Sequence, residues 1–117
     1  MPRVLVVDDD PAIRQVIALA LGDEGYEVDV AADGRAALAA IARHHPDLIL
    51  LDMKMPGADG WEFVRHYRAR YERQAPIVVL TAAPDVAERG EAVHAAAYLA
   101  KPFDLDALLA CVATFAR

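Results

Sequence analysis

The chain has 117 residues, 56% of them hydrophobic, with a formal net charge of −6 and a pI near 5.0. That apolar share is too high for a disordered chain and the length suits one core, so residues 1–117 are expected to form a single domain. The acidic balance disfavours direct binding to nucleic acid or an anionic membrane, the lone Cys111 excludes an internal disulfide, and no apolar run approaches the roughly 20 residues that span a bilayer. A soluble, cytoplasmic protein is the expectation.

Apolar runs alternate with helical patterns from one end of the chain to the other. Val4-Leu5-Val6-Val7 reads as a first strand, followed by Asp8, Asp9 and Asp10. Pro11 suits a first helical turn with Asp10 as its cap, and Ile13, Val16, Ile17 and Leu21 recur at helical spacing until Gly22 and Gly25. Glu27 to Ala31 alternates as a short second strand. Asp33 then caps a helix that turns Ala37, Leu38 and Ile41 inward, and Pro46 stops it.

The third strand, Leu48-Ile49-Leu50-Leu51, delivers Asp52. A turn at Met55-Pro56-Gly57 leads to Asp59, which with Glu62 forms an Asp-x-x-Glu capping pattern for a helix burying Phe63, Val64, Tyr67 and Tyr71. Ile77-Val78-Val79-Leu80 is the fourth strand, ending in Thr81, and a weaker helical segment covers about Asp85 to His94. The fifth strand holds Tyr98, Leu99 and Ala100 ahead of Lys101. Asp104 caps a last helix with Leu105, Leu108, Leu109, Val112 and Phe115 on its apolar side. Repeated β-α units of this kind predict an α/β fold: a five-stranded parallel sheet with helices on both faces.

In such a sheet, ligands and chemistry collect beyond the carboxyl ends of the strands. Asp8, Asp9, Asp52, Thr81 and Lys101 are therefore expected to converge on one edge. Gathered carboxylates repel one another, and a divalent cation would hold them ionised; Mg²⁺ fits best, because it favours oxygen donors and commonly joins one or two carboxylates to a phosphoryl group. Asp52 stands alone at a central strand end, which suits a nucleophile forming an aspartyl phosphate, while Asp8 and Asp9 form a pair suited to metal. Lys101 would add positive charge against phosphoryl oxygens and Thr81 a hydroxyl donor.

The segments Val7-Asp8-Asp9-Asp10-Pro11, Leu51-Asp52-Met53-Lys54-Met55-Pro56-Gly57, Leu80-Thr81-Ala82 and Tyr98-Leu99-Ala100-Lys101-Pro102-Phe103 together resemble the receiver domain of two-component response regulators. The resemblance runs from about Arg3 to the end. It implies the flavodoxin-like strand order 2-1-3-4-5. It also implies that Asp52 is the phosphoacceptor, Asp9 a direct Mg²⁺ ligand, Asp8 a ligand mainly through water, and the backbone carbonyl of Lys54 a further ligand. Thr81 and Lys101 would hold the phosphoryl oxygens. Thr81 and Tyr98 would form the switch that alters the surface of the fourth helical segment, the fifth strand and the last helix.

The partner implied is a sensor histidine kinase or histidine phosphotransfer protein, with an unidentified downstream protein target. Such a module catalyses only its own phosphorylation and dephosphorylation and is not a free-standing enzyme. The alternative is a receiver-like scaffold that binds proteins and is never phosphorylated. One departure from the family pattern stands out: the Thr81 to Lys101 interval is about two residues short, with Gly90 inside it, so a short or mobile fourth helical segment is expected.

Other features take simpler readings. Asp10 reads as a cap. The cluster Arg65, His66, Arg68, Arg70 and Arg73 reads as a solvated helix face, with an acidic partner as the alternative. Leu19 and Ala12 lie away from the apolar stripe of the first helix and beside the crevice, where a phosphohistidine-bearing bundle would dock. A haloacid-dehalogenase-like phosphatase would need an aspartate where Lys54 stands, and a flavodoxin-like cofactor site would set a phosphate against Asp8-Asp9-Asp10.

Overall fold

A computed structural model describes residues 2–52, 60–81, 95–100 and 103–116, leaving aside the side chains of Trp61 and Thr81. Five strands, β1 (Arg3–Val7), β2 (Glu27–Ala31), β3 (Leu48–Asp52), β4 (Ile77–Thr81) and β5 (Ala97–Ala100), form one parallel sheet in the order β2-β1-β3-β4-β5. Among the described residues the helices are α1 (Pro11–Asp23), α2 (Gly34–Arg43), α3 (Gly60–Arg70) and a C-terminal helix, Leu105–Phe115. The expected fourth helical segment, the Met55-Pro56-Gly57 turn and the Asp59 cap lie outside the described residues.

The central strands β1, β3 and β4 carry continuous apolar runs because both faces of the sheet are covered there, whereas the edge strand β2 alternates. Leu5, Val7, Ile49, Leu51, Ile77 and Val79 point to one side, where Ala37, Ala40 and Ile41 of α2 and Phe63, Val64 and Tyr67 of α3 close the core. Val4, Val6, Leu48, Leu50, Val78 and Leu80 point to the other, against Ile17 and Leu21 of α1 and Leu108 and Val112 of the C-terminal helix. Each leucine or isoleucine buried this way contributes about 1.5–3 kcal/mol of transfer free energy. Arg3 fastens the lower end of β1, its Nη1 donating to Asp29 Oδ2 at 2.9 Å and its backbone N–H to Asp47 Oδ2 at 2.8 Å.

Caps set the helix boundaries. Asp10 accepts from the Ala12 and Ile13 amides at 2.9 and 3.4 Å, Asp33 from Ala36 at 2.8 Å, and Asp104 from Asp106 at 3.1 Å. At the far end of α1 the Tyr26 amide donates to Leu21 O and the Gly25 amide to Gly22 O, a Schellman closure in which Gly25 takes φ 91°. Gly25 thereby turns the chain directly into β2. Two buried-face expectations need correction: Val16 is 53% exposed and Leu105 39%. α1 seats on the sheet through Ile13, Ile17 and Leu21, spaced four apart, which rotates Val16 outward; Leu105 sits in the first turn of its helix, before the helix reaches the core.

Candidate functional site

Register builds the site. Val7 of β1 pairs with Leu51 of β3, so the next residues, Asp8 and Asp52, leave the sheet side by side at its carboxyl edge. Neighbouring strands lie about 4.8 Å apart. One carboxylate oxygen from each of Asp8, Asp9 and Asp52 falls within 4.8 Å of the others. Asp8 is fully buried and Asp52 5% exposed, the two buried charged residues among those described, whereas Asp9 faces solvent.

Local hydrogen bonds fix the acidic pair. The Asp8 amide extends the β1–β2 ladder by donating to Ala31 O at 3.1 Å, and Asp8 Oδ1 accepts from the Asp10 amide at 2.9 Å. Arg14, one turn into α1, donates from Nη1 to the Asp8 carbonyl at 2.7 Å. Sequence reasoning missed Arg14. Its signal was a cation in the opening turns of the helix that follows the acidic pair, although only the folded geometry reveals that it grips backbone rather than carboxylate.

The remaining expected site residues divide by position. Thr81 ends β4, directly after Leu80, which pairs with Asp52, and Thr81 itself pairs with Ala100, the residue before Lys101. Tyr98 lies on β5 with 39% of its surface exposed, an outward-facing arrangement. Lys101 and Lys54 lie outside the described residues. The donor set offered by Asp8, Asp9 and Asp52 is all oxygen and all anionic, with one member open to water, which fits Mg²⁺ and does not fit zinc.

Against this geometry, the sequence profile of the response regulator receiver domain matches residues 4–113. The chain belongs to that family. It is 47% identical over 110 residues to the response regulator MprA of Mycolicibacterium vanbaalenii, covering 92% of this chain and 47% of that protein, and 44% identical over 117 residues to MprA of Mycobacterium leprae, covering 98% and 51%. The chain thus spans about half the length of these curated relatives. Among solved structures, the chemotaxis response regulator CheY4 of Vibrio cholerae matches with TM-score 0.88 and 41% identity over 98% of both chains. TrrA of Thermotoga maritima, solved in complex with Mg²⁺–BeF, matches with TM-score 0.86 and 36% identity over 98% of this receiver and 99% of that chain. As a receiver domain the chain has the phosphoacceptor role of two-component signalling.

Proposed function

We propose that Asp52 is the residue of this receiver that takes the phosphoryl group, drawing it from a phosphohistidine of a sensor histidine kinase or histidine phosphotransfer protein. The observation that carries the reading is the meeting of Asp8, Asp9 and Asp52 within 4.8 Å at the carboxyl ends of β1 and β3. A carboxylate oxygen of Asp52 attacks phosphorus, the histidine N–P bond breaks, and the imidazole leaves with its electron pair. Water later hydrolyses the acyl phosphate and restores the carboxylate.

Asp8, Asp9 and Asp52, with the Lys54 carbonyl, would hold Mg²⁺, which supplies positive charge against carboxylate and phosphoryl oxygens. Thr81 would donate its hydroxyl and Lys101 its ammonium to the phosphoryl group; the register that sets Thr81 and the residue before Lys101 beside β3 supports both roles. Arg14 acts as a positioning residue through the Asp8 backbone. Thr81 and Tyr98 would couple the modified site to the surface at β5 and the C-terminal helix, and the outward Tyr98 supports a resting state of that switch.

Residues 1–117 form one receiver domain in this reading, working in the cytoplasm through protein contacts and catalysing only its own phosphorylation and dephosphorylation. No helix among the described residues is long and apolar enough to cross a membrane. For the donor, the exposed face of α1 offers a docking surface: Leu19 is 63% exposed, Val16 53%, and Ala12 also faces solvent, on the helix that starts beside the acidic pair. Incubation with acetyl phosphate and Mg²⁺ followed by intact-mass measurement tests the central step. Wild type is expected to gain the mass of one phosphoryl group and Asp52→Asn none; equal labelling of both would overturn the assignment, and no labelling of wild type would favour a binding scaffold.

A further inference from the structure

Charge is unevenly distributed along this acidic chain. Residues 35–73 contain seven Lys and Arg against five Asp and Glu, a net of +2, while the other positions contain five against thirteen, a net of −8. The described residues of that cationic part belong to α2, β3, α3 and the turn after it. Between α2 and α3 lies a groove of about 200 Å³, with Leu38 and Phe63 supplying apolar lining and Arg35, His66 and Arg70 exposed along it. Glu62 is the one carboxylate among its lining residues and leans toward His66 at 3.7 Å.

Arg35 and Arg70 make no ion pair or side-chain hydrogen bond among the described residues. A solvated helix face ordinarily intersperses both signs, and α3 offers acidic spacing partners only at Glu62. Two unneutralised guanidiniums, one from each helix, line the apolar slot and are suited to carboxylates, with the slot able to accept one aliphatic side chain. We infer that the α2–α3 groove is a docking site for an acidic segment of a partner protein bearing an apolar anchor residue. The site is separate from the acidic notch, and its occupancy does not depend on Asp52.

Fluorescence anisotropy of a labelled short oligoglutamate peptide with a central leucine, titrated with the full chain at low ionic strength, tests the inference. Saturable binding is expected, weakened roughly tenfold or more by Arg35→Glu or Arg70→Glu and by omitting the leucine. Arg43→Glu, an equal charge change at the exposed end of α2 outside the groove, is expected to leave affinity nearly unchanged, as is Asp52→Asn. Circular dichroism of the variants checks that the surface substitutions leave the fold intact. Absence of binding, equal loss in Arg43→Glu and Arg70→Glu, indifference to the leucine, or preferential binding of an oligonucleotide of matching charge would overturn it.

Discussion

Tyr67 carries a prediction that reaches from one hydroxyl to the stability of the domain. Its ring is fully buried on α3, stacked on Phe63 with centroids 6.0 Å apart and tilted against Tyr71 at 5.5 Å. The hydroxyl accepts from the Ala75 amide at 2.7 Å, and its own proton reaches His45 Nε2 at 3.0 Å, which accepts it in the Nδ1-protonated tautomer. One oxygen thus clips the turn before β4 to the turn before β3. Tyr67→Phe keeps the ring but strands the Ala75 N–H, which at 7% residue exposure cannot recruit bulk water, whereas the exposed His45 can. An unsatisfied buried donor costs about 1–3 kcal/mol. For a domain of this size that corresponds to a fall in Tm of roughly 4 °C per kcal/mol, so about 8 °C at the middle of the range. Urea unfolding followed by circular dichroism measures it, with the m-value expected to hold. Tyr71→Phe is the control, because the Tyr71 hydroxyl makes no hydrogen bond among the described residues; its change should stay within about 0.5 kcal/mol. Burial also raises the Tyr67 ionisation above its ordinary value near 10. The unfolded chain then releases that proton first, so the tyrosine's contribution is complete below pH 10 and is lost as pH rises through the folded value, a dependence the phenylalanine variant should lack. Equal stabilities for Tyr67→Phe and Tyr71→Phe would refute the clip.

Two further outcomes separate roles at the site. Asp10→Ala should lower stability by about 1 kcal/mol through loss of the α1 cap, with Asp10→Ser restoring most of it, since a serine hydroxyl can accept from the same amides; calorimetric Mg²⁺ titration should find the serine variant close to wild type, and a serine variant that loses Mg²⁺ as Asp52→Asn does would make Asp10 a ligand instead. Leu19→Glu should slow transfer from a phosphorylated histidine kinase several-fold while leaving labelling by acetyl phosphate unchanged, and unchanged transfer kinetics would remove α1 as the docking face.

The strands and caps were legible because they are written in local chemistry. A strand covered on both faces has to be a continuous apolar run, and Leu48 to Leu51 or Ile77 to Leu80 admit little else. Asp10, Asp33 and Asp104 announce helix starts by residue type alone. The convergence of Asp8, Asp9 and Asp52 followed from strand direction together with the strand order that the family resemblance implied. What escaped depends on contacts distant in sequence or on rotation. Val16 fits a helical stripe as well as Ile17 does, and only the seating of α1 on the sheet decides which of them is covered. The Tyr67 hydroxyl pairs with a residue 22 positions back and another 8 ahead, and no periodicity encodes such a pairing. Arg14 is likewise an unremarkable helix cation until the strand end it holds is in place.

Burying two carboxylates at the edge of a core is costly, and such groups are held by hydrogen bonds, ion pairs or a cation, as Asp8 Oδ1 is by the Asp10 amide. Here both sit one residue beyond a register pair, Val7 with Leu51, that is locked by side chains on either side of the sheet. Slipping β1 by a single residue against β3 would turn Asp8 to the opposite face and exchange every buried valine for its neighbour, so the packed register fixes where the two carboxylates stand. The two hydrophobic layers beneath them hold Asp8 and Asp52 side by side at the carboxyl edge, the arrangement that the proposed cation and phosphoryl chemistry requires.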